Sequence, residues 1–180
     1  YVDFLVPNRF KHGYGLSPEI VNEAKVEKEP NLIITVDNGI SSNEGAALAR
    51  SLGIDVIITD HHLPPNELPD ANAIINPNLR GCDFPSKNLA GVGVCFYLFS
   101  SLKTHLDSIG YFEKHNIKLP DLRVLLDLVA LGTVADVVKL DQNNRILVNE
   151  VIKRIHQKKC SKRILAILEL TKRPIESLQA

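Results

Sequence analysis

The apolar positions of the first ninety residues fall into short runs separated by polar stretches with helical spacing. "DFLVP" (3–7), "LIITV" (32–36), "DVIIT" (55–59) and "NAIINP" (72–77) have strand length and end at Asp, Asn, Gly or Pro. Between them, "SPEIVNEAKVE" (17–27) and "SNEGAALARSLG" (42–53) read as helices. Ser17 followed by Pro18 predicts a capped helix start, and Gly53 a helix stop. Strand alternating with helix implies right-handed crossovers and a parallel sheet. The strands are rich in Ile and Val without polar alternation, which predicts cover on both faces.

Beyond residue 88 the period turns helical, in "LAGVGVCFYLFSSLKTHL" (89–106), "DLRVLLDLVAL" (121–131), "NNRILVNEVIKRI" (143–155) and "SKRILAILEL" (161–170). Pro120 with Asp121 marks a helix start, while 81–88 and 132–141 read as loops. The predicted fold class is α/β: a Rossmann-like parallel sheet with flanking helices, followed by an all-helical segment. A chain of 180 residues buries roughly 70% of its unfolded surface, so a core forms without staples. The opening run suggests a sheet already under way, and thus an internal piece with partner strands upstream of Tyr1.

Charge and cysteines narrow the setting. Lys plus Arg (21) balance Asp plus Glu (21), so no global basic field draws in nucleic acid and a polyanion must be held locally. Cys82, Cys95 and Cys160 are odd in number, distant and without a C-x-x-C pair, which argues against a disulfide framework or a zinc knot. No run approaches the roughly 20 apolar residues of a membrane span. The expected setting is a reducing cytoplasm, with no membrane partner.

Two strands end alike: "LIITVDNG" (32–39) and "DVIITDHH" (55–62) each close on an Asp, 23 positions apart. Asp37 and Asp60 are thus expected at the carboxyl ends of two parallel strands, about 5 Å apart if neighbours, in the crevice where open α/β sheets bind ligands. Carboxylates gathered there need positive charge. A divalent metal supplies it, and carboxylate with imidazole suits Mn²⁺, Zn²⁺ or Fe²⁺ better than Ca²⁺. Asp37 reads either as a ligand or as the acid of a "DNG" turn, although a helix and not a second strand follows that turn. His61 and His62 read as site residues or as solvent-facing loop histidines. Asp136, in the otherwise uncharged "TVADVV", is either a helix cap or a ligand.

"VPNRFKHGYGLSPE", "TVDNGISS", "TDHHLPP", "INPN", "LAGVGV" and "DLVALGTVADVVKLDQNNRILV", in this order and spacing, resemble the RecJ family of single-strand-specific exonucleases within the DHH phosphoesterase superfamily. The likeness covers nearly the whole chain. It implies a DHH domain over 1–140 and a helical connecting segment over 141–180. It also implies two divalent ions, Mn²⁺ or Mg²⁺, with Asp37, His61 and Asp136 as metal ligands. By the same comparison His62 is catalytic and faces the scissile phosphate, Asp60 acts with it as a ligand or as an orienter of one, and Arg9 contacts nucleic acid. The implied activity is 5′-end hydrolysis of single-stranded DNA to mononucleotides in bacterial DNA repair and recombination, alongside a helicase or single-strand-binding protein. An acidic first motif upstream and further domains downstream are expected outside these 180 residues, so that the fragment alone binds metal weakly.

Other readings keep parts of this picture. The same site acting on short oligonucleotides, cyclic dinucleotides or pyrophosphate fits the wider superfamily, and a non-catalytic metal- or DNA-binding module fits the sheet. "GVGVCF" (91–96) lacks the third Gly and the preceding strand of a dinucleotide fingerprint, so its glycines are assigned to close approach. The acid-free run "KRIHQKKCSKR" (153–163) reads first as a solvated helix end, and second as a backbone-tracking patch for single strands.

Overall fold

The computed structural model describes residues 1–172 together with 175 and 178, and leaves the side chain of Arg163 outside the described set. It divides into two compact units, 1–87 and 88–180. The first unit carries α1 (Arg9–His12), α2 (Pro18–Lys28), β1 (Leu32–Val36), α3 (Asn43–Ser51), β2 (Asp55–Thr59) and β3 (Ala73–Ile75). Its sheet runs β1-β2-β3 and is wholly parallel, with Leu32 opposite Asp55 and Val36 opposite Thr59. That register brings the ends of β1 and β2 level, so Asp37 and Asp60 leave the sheet side by side as expected. The amide of Asp37 still donates to Thr59 O at 3.0 Å, extending the ladder one residue past the strand.

One face of this sheet is packed. Val56 and Ile58, with Ile33 and Ile74 at its edges, meet Leu16, Ile20 and Val21 ahead of and within α2, and Ala49 of α3. Helix α2 begins where the sequence places it, with Ser17 Oγ accepting from Ile20 N. The opposite face departs from the expectation of double cover. Leu32, Ile34 and Val36 are 43%, 45% and 54% exposed, because β1 is an edge strand with helices of this unit against one side only. The run "DFLVP" also forms no strand: residues 1–8 have no regular structure and take no ladder partner among the described residues. Leu5 still packs against the core, and Asp3 pairs with Lys28 at 2.7 Å.

The second unit is helical: α4 (Gly91–Ser108), α5 (Tyr111–Lys114), a 3₁₀ turn (Leu122–Leu125), α6 (Leu126–Ala135), α7 (Gln142–His156) and α8 (Lys162–Thr171). Asp121 caps the 3₁₀ turn and not an α-helix; paired with Arg123 it is held down to about 2, well below the usual carboxylate range. The predicted loop over 132–141 is a correction as well. Helix α6 continues through Gly132 to Ala135, since a Cβ at Gly132 would stand 2.6 Å from Val92 Cγ1 and its absence lets α6 close on α4. Gly91 and Gly93 lie buried in the first turn of α4. In the basic run, Arg154 donates to Lys159 O and closes the turn into α8, leaving Lys153, Lys158, Lys159 and Lys162 exposed. All three cysteines are free thiols.

Gly45 is the tightest point of the first unit. A Cβ there would fall 1.8 Å from Leu16 O and 2.7 Å from its carbonyl carbon, and backbone cannot move aside as a side chain can. The gain in helix propensity of Ala over Gly, about 1 kcal/mol, works against an overpacking penalty of about 3 kcal/mol. Gly45→Ala is therefore expected to destabilise by about 2 kcal/mol, read as a lowered urea midpoint with unchanged slope.

Candidate metal centre

The site begins with backbone geometry at the two strand ends. Asp37 has φ +64°, a left-handed conformation uncommon for a residue with a side chain but tolerated by Asp. The turn is held by Thr35 Oγ1 donating to Asn38 O at 2.7 Å and by Asn38 Nδ2 donating to Val36 O at 2.9 Å. Gly39 follows at φ +105°, where a Cβ would strike Thr35 Oγ1 at 2.9 Å. The "DNG" acid is thus a real turn residue, and the same turn projects its carboxylate over the neighbouring strand.

There it meets the histidines. His61 Nε2 lies 3.0 Å from Asp37 Oδ1, and donor atoms of Asp37, His61 and His62 all fall within 4.8 Å of one another. The two imidazoles have centroids 4.5 Å apart. Two donors about 2.1 Å from one hard cation, at right angles, stand about 3.0 Å apart. The Asp37–His61 separation already has that value, and a carboxylate beside imidazoles is a donor set suited to a divalent transition ion. On spacing and chemistry the residues fit a metal.

Asp60 is placed differently. It is 1% exposed, and both oxygens are engaged. Oδ2 accepts from Ile40 N at 2.9 Å; Oδ1 accepts from His61 N at 2.7 Å, from His62 N at 3.2 Å and from His62 Nδ1 at 2.6 Å. Burial pushes the carboxyl pKa up, but the donors from Ile40, His62 and His61 outweigh it and hold Asp60 below its ordinary value. The charged carboxylate receives the proton on His62 Nδ1, which fixes the ring and turns Nε2 outward. Asp60 does not belong to the donor cluster; it lies beneath it and sets its direction.

Three neighbours carry no periodic signal and were not singled out by sequence. Asn76 Nδ2 donates to His62 O at 2.8 Å and Asn78 Nδ2 to His61 O at 2.6 Å, so the "INPN" segment after β3 fastens both histidine carbonyls. Tyr14 stands edge-on to the His62 ring at 6.2 Å, with its hydroxyl 3.4 Å from Asp37 O. Arg9 Cζ lies 5.8 Å above the Tyr14 ring, which places the arginine predicted for nucleic acid within this group. The loop is latched by buried His12, whose Nδ1 accepts from Asn8 N at 3.0 Å while Nε2 meets Glu23 Oε2 at 3.0 Å. The signal for Tyr14 was its place in "PNRFKHGYG", five residues past the arginine. Asp136 belongs to the second unit, exposed at the C-cap of α6, with its amide donating to Gly132 O at 2.9 Å.

The Asp60 bonds give a pH signature in metal-free protein. A carboxyl whose folded pKa lies below its unfolded value of 3.8 stabilises fully above that value, and the contribution disappears as pH falls through the folded pKa. Asp60→Asn is expected to destabilise by about 2 kcal/mol at pH 7, the worth of hydrogen bonds to a buried charge. Urea midpoints of the two proteins in EDTA should converge only below pH 3.8; a gap unchanged down to about pH 2.5 contradicts the assignment.

The family model described as "DHH family, N-terminal domain" matches residues 1–133. The single-stranded-DNA-specific exonuclease RecJ of Salmonella typhimurium is 60% identical over 179 residues, 99% of this chain and 31% of the relative. The RecJ of Bacillus subtilis is 46% identical over 156 residues, 87% of this chain and 18% of the relative. A crystal structure of exonuclease RecJ bound to manganese superposes with a TM-score of 0.65 at 33% identity, covering 84% of this chain and 35% of that one. RecJ from Thermus thermophilus in complex with Mn²⁺ gives a TM-score of 0.59 at 33% identity, covering 77% of this chain and 19% of that one. The chain thus spans under a third of the length of the curated relatives it matches. With the family match running through both strand-end motifs and into α6, the chain belongs to the DHH family.

Proposed function

We propose that this chain is the catalytic-core part of a metal-dependent exonuclease that hydrolyses single-stranded DNA from its 5′ end to mononucleotides. The observation that carries the reading is the strand-end cluster of Asp37, His61 and His62, oriented from beneath by a buried, charged Asp60. Relatives named as single-stranded-DNA-specific exonucleases, and solved structures described with manganese, supply the substrate class and the ion. Mn²⁺ or Mg²⁺, in a two-ion site completed by residues outside this chain, is the cofactor of this reading. Such ions, when bound, would neutralise the phosphate and supply hydroxide at neutral pH, where free water is a poor nucleophile.

The residues divide the work. Asp37 and His61 would hold metal, and Asp136, carried by the second unit, is assigned as a further ligand on the family resemblance. Asp60 serves as the orienter: it is buried, with three N–H donors on Oδ1 and one on Oδ2, and it lies outside the group of donor atoms formed by Asp37, His61 and His62. His62, its Nδ1 committed to Asp60, would present Nε2 toward the scissile phosphate, beside the charge that develops on the leaving oxygen. Arg9 meets a backbone phosphate, held in place by the α1 latch. We assign 1–140 to the phosphoesterase domain and 141–180 to a helical connection, in an enzyme of the bacterial cytoplasm working beside a helicase or single-strand-binding protein.

The test uses a protein of the relatives' full length and 5′-labelled single-stranded DNA with Mn²⁺. His61→Ala, Asp37→Ala and Asp136→Ala are each expected to lower turnover by at least about 100-fold while single-strand binding persists. Full activity in His61→Ala overturns the reading. Faster hydrolysis of dinucleotides than of long strands moves the substrate to short oligonucleotides, and strand binding without product identifies a non-catalytic module.

A further inference from the structure

We propose that Asn144 is a positioning residue for Asp136: with Arg145 it fastens the loop after α6 in a strained conformation that aims the Asp136 carboxylate. The inference rests on the reading of Asp136 as a metal ligand and concerns how the second unit presents it.

Four observations within that unit carry it. Val137, next to Asp136, has φ +57° and is 87% exposed. A β-branched residue is a true outlier in the left-handed region, where strain of about 1–3 kcal/mol persists only if the surroundings impose it. Nothing packed around so exposed a side chain imposes it, so the constraint comes from the backbone on either side. On the upstream side, Asp136 N and Val137 N donate back to Gly132 O and Val134 O, ending α6. Downstream, Lys139 O accepts from Asn144 Nδ2 at 2.9 Å and from Asp141 N at 2.9 Å, and Leu140 O accepts from Arg145 Nε at 2.8 Å.

Asn144 is itself immobilised. It is fully buried; its second Nδ2 proton goes to Asn88 O at 2.6 Å, and Asn88 Nδ2 returns to Asp141 Oδ2, whose Oδ1 caps Asn144 N at 3.0 Å. Its own Oδ1 is buried with no donor among the described residues. That stranded oxygen is unfavourable, while the amide nitrogen of the same side chain satisfies two carbonyls that an apolar residue would leave unpaired. The asparagine thus serves the geometry of the two carbonyls it binds. Both lie in 88–144, and one is three residues from Asp136.

The experiment measures binding of Mn²⁺ alone, by the loss of its free-ion magnetic resonance signal, in a protein of the relatives' full length well below each variant's unfolding temperature. Asn144→Ala is expected to weaken Mn²⁺ binding about 10-fold, the scale for removing a partner that orients a ligand, and Arg145→Ala by a smaller factor. Arg145 is exposed, so that variant keeps the test valid if Asn144→Ala fails to fold. The decisive variant is the double Asn144→Ala, Val137→Gly. Glycine adopts the left-handed conformation without strain, so the loop no longer needs fastening and Mn²⁺ affinity should recover by at least about threefold. A purely structural role for Asn144 gives no such recovery from an exposed loop position. Unchanged affinity in Asp136→Ala overturns the metal reading of Asp136 and this inference with it. Weakening in Asp136→Ala, with none in Asn144→Ala or Arg145→Ala, or with no recovery in the double variant, overturns this inference alone.

Discussion

The buried carboxylate of Asp60 is the constraint on which the first unit's chemistry depends. A lone charge in that position would be expelled or neutralised; four N–H donors keep it ionised and in place. Each donor comes from a segment that the site requires. Ile40 belongs to the turn that carries Asp37, and His61 and His62 to the turn that follows β2. One residue therefore ties two strand ends together across the register Val36–Thr59. Asn76 and Asn78 extend the tie to the end of β3, so that all three parallel strands converge on the two histidines.

Much of this was legible in the sequence, and the reason is the simplicity of the signals. β1 and β2 occupy 32–36 and 55–59 as read, because short apolar runs of Ile, Val and Thr stop at polar turn residues. Helix α2 starts at Ser17–Pro18 because capping is a local interaction. That Asp37 and Asp60 leave neighbouring strand ends side by side followed from two strands with the same ending. What escaped was whatever depends on contacts distant in sequence. Whether "DFLVP" is a strand depends on a neighbour to pair with, and composition does not carry that. Helix α6 runs through Gly132 because Val92, forty residues earlier, fills the space a Cβ would take. That Asp60 is buried among four N–H donors while Asp37, alike in sequence position, is exposed beside His61 appears only once their hydrogen bonds are counted.

The two units solve the same problem differently. The first places Asp37, His61 and His62 at strand ends, where a parallel ladder fixes backbone direction and short polar side chains complete the turn. The second has no sheet among its described residues. It relies on side-chain amides, with Asn88, Asn143 and Asn144 linking α4, the loop after α6 and the first turn of α7; Tyr97 of α4 donates to Asn143 at 2.6 Å. Buried amides are less forgiving than a ladder, since each lost partner leaves a polar group stranded.

The open side of β1 bears on how this chain behaves when handled by itself. Leu32, Ile34 and Val36 are exposed on a strand whose outer edge has no ladder partner among the described residues, a pattern that templates pairing with other chains. These three side chains add little to the stability of the unit that holds them, yet they set its tendency to self-associate. Threonine at 32 and 34 keeps strand propensity while removing the greasy stripe, which would trade concentration-dependent aggregation for solubility without touching the turn that carries the acid.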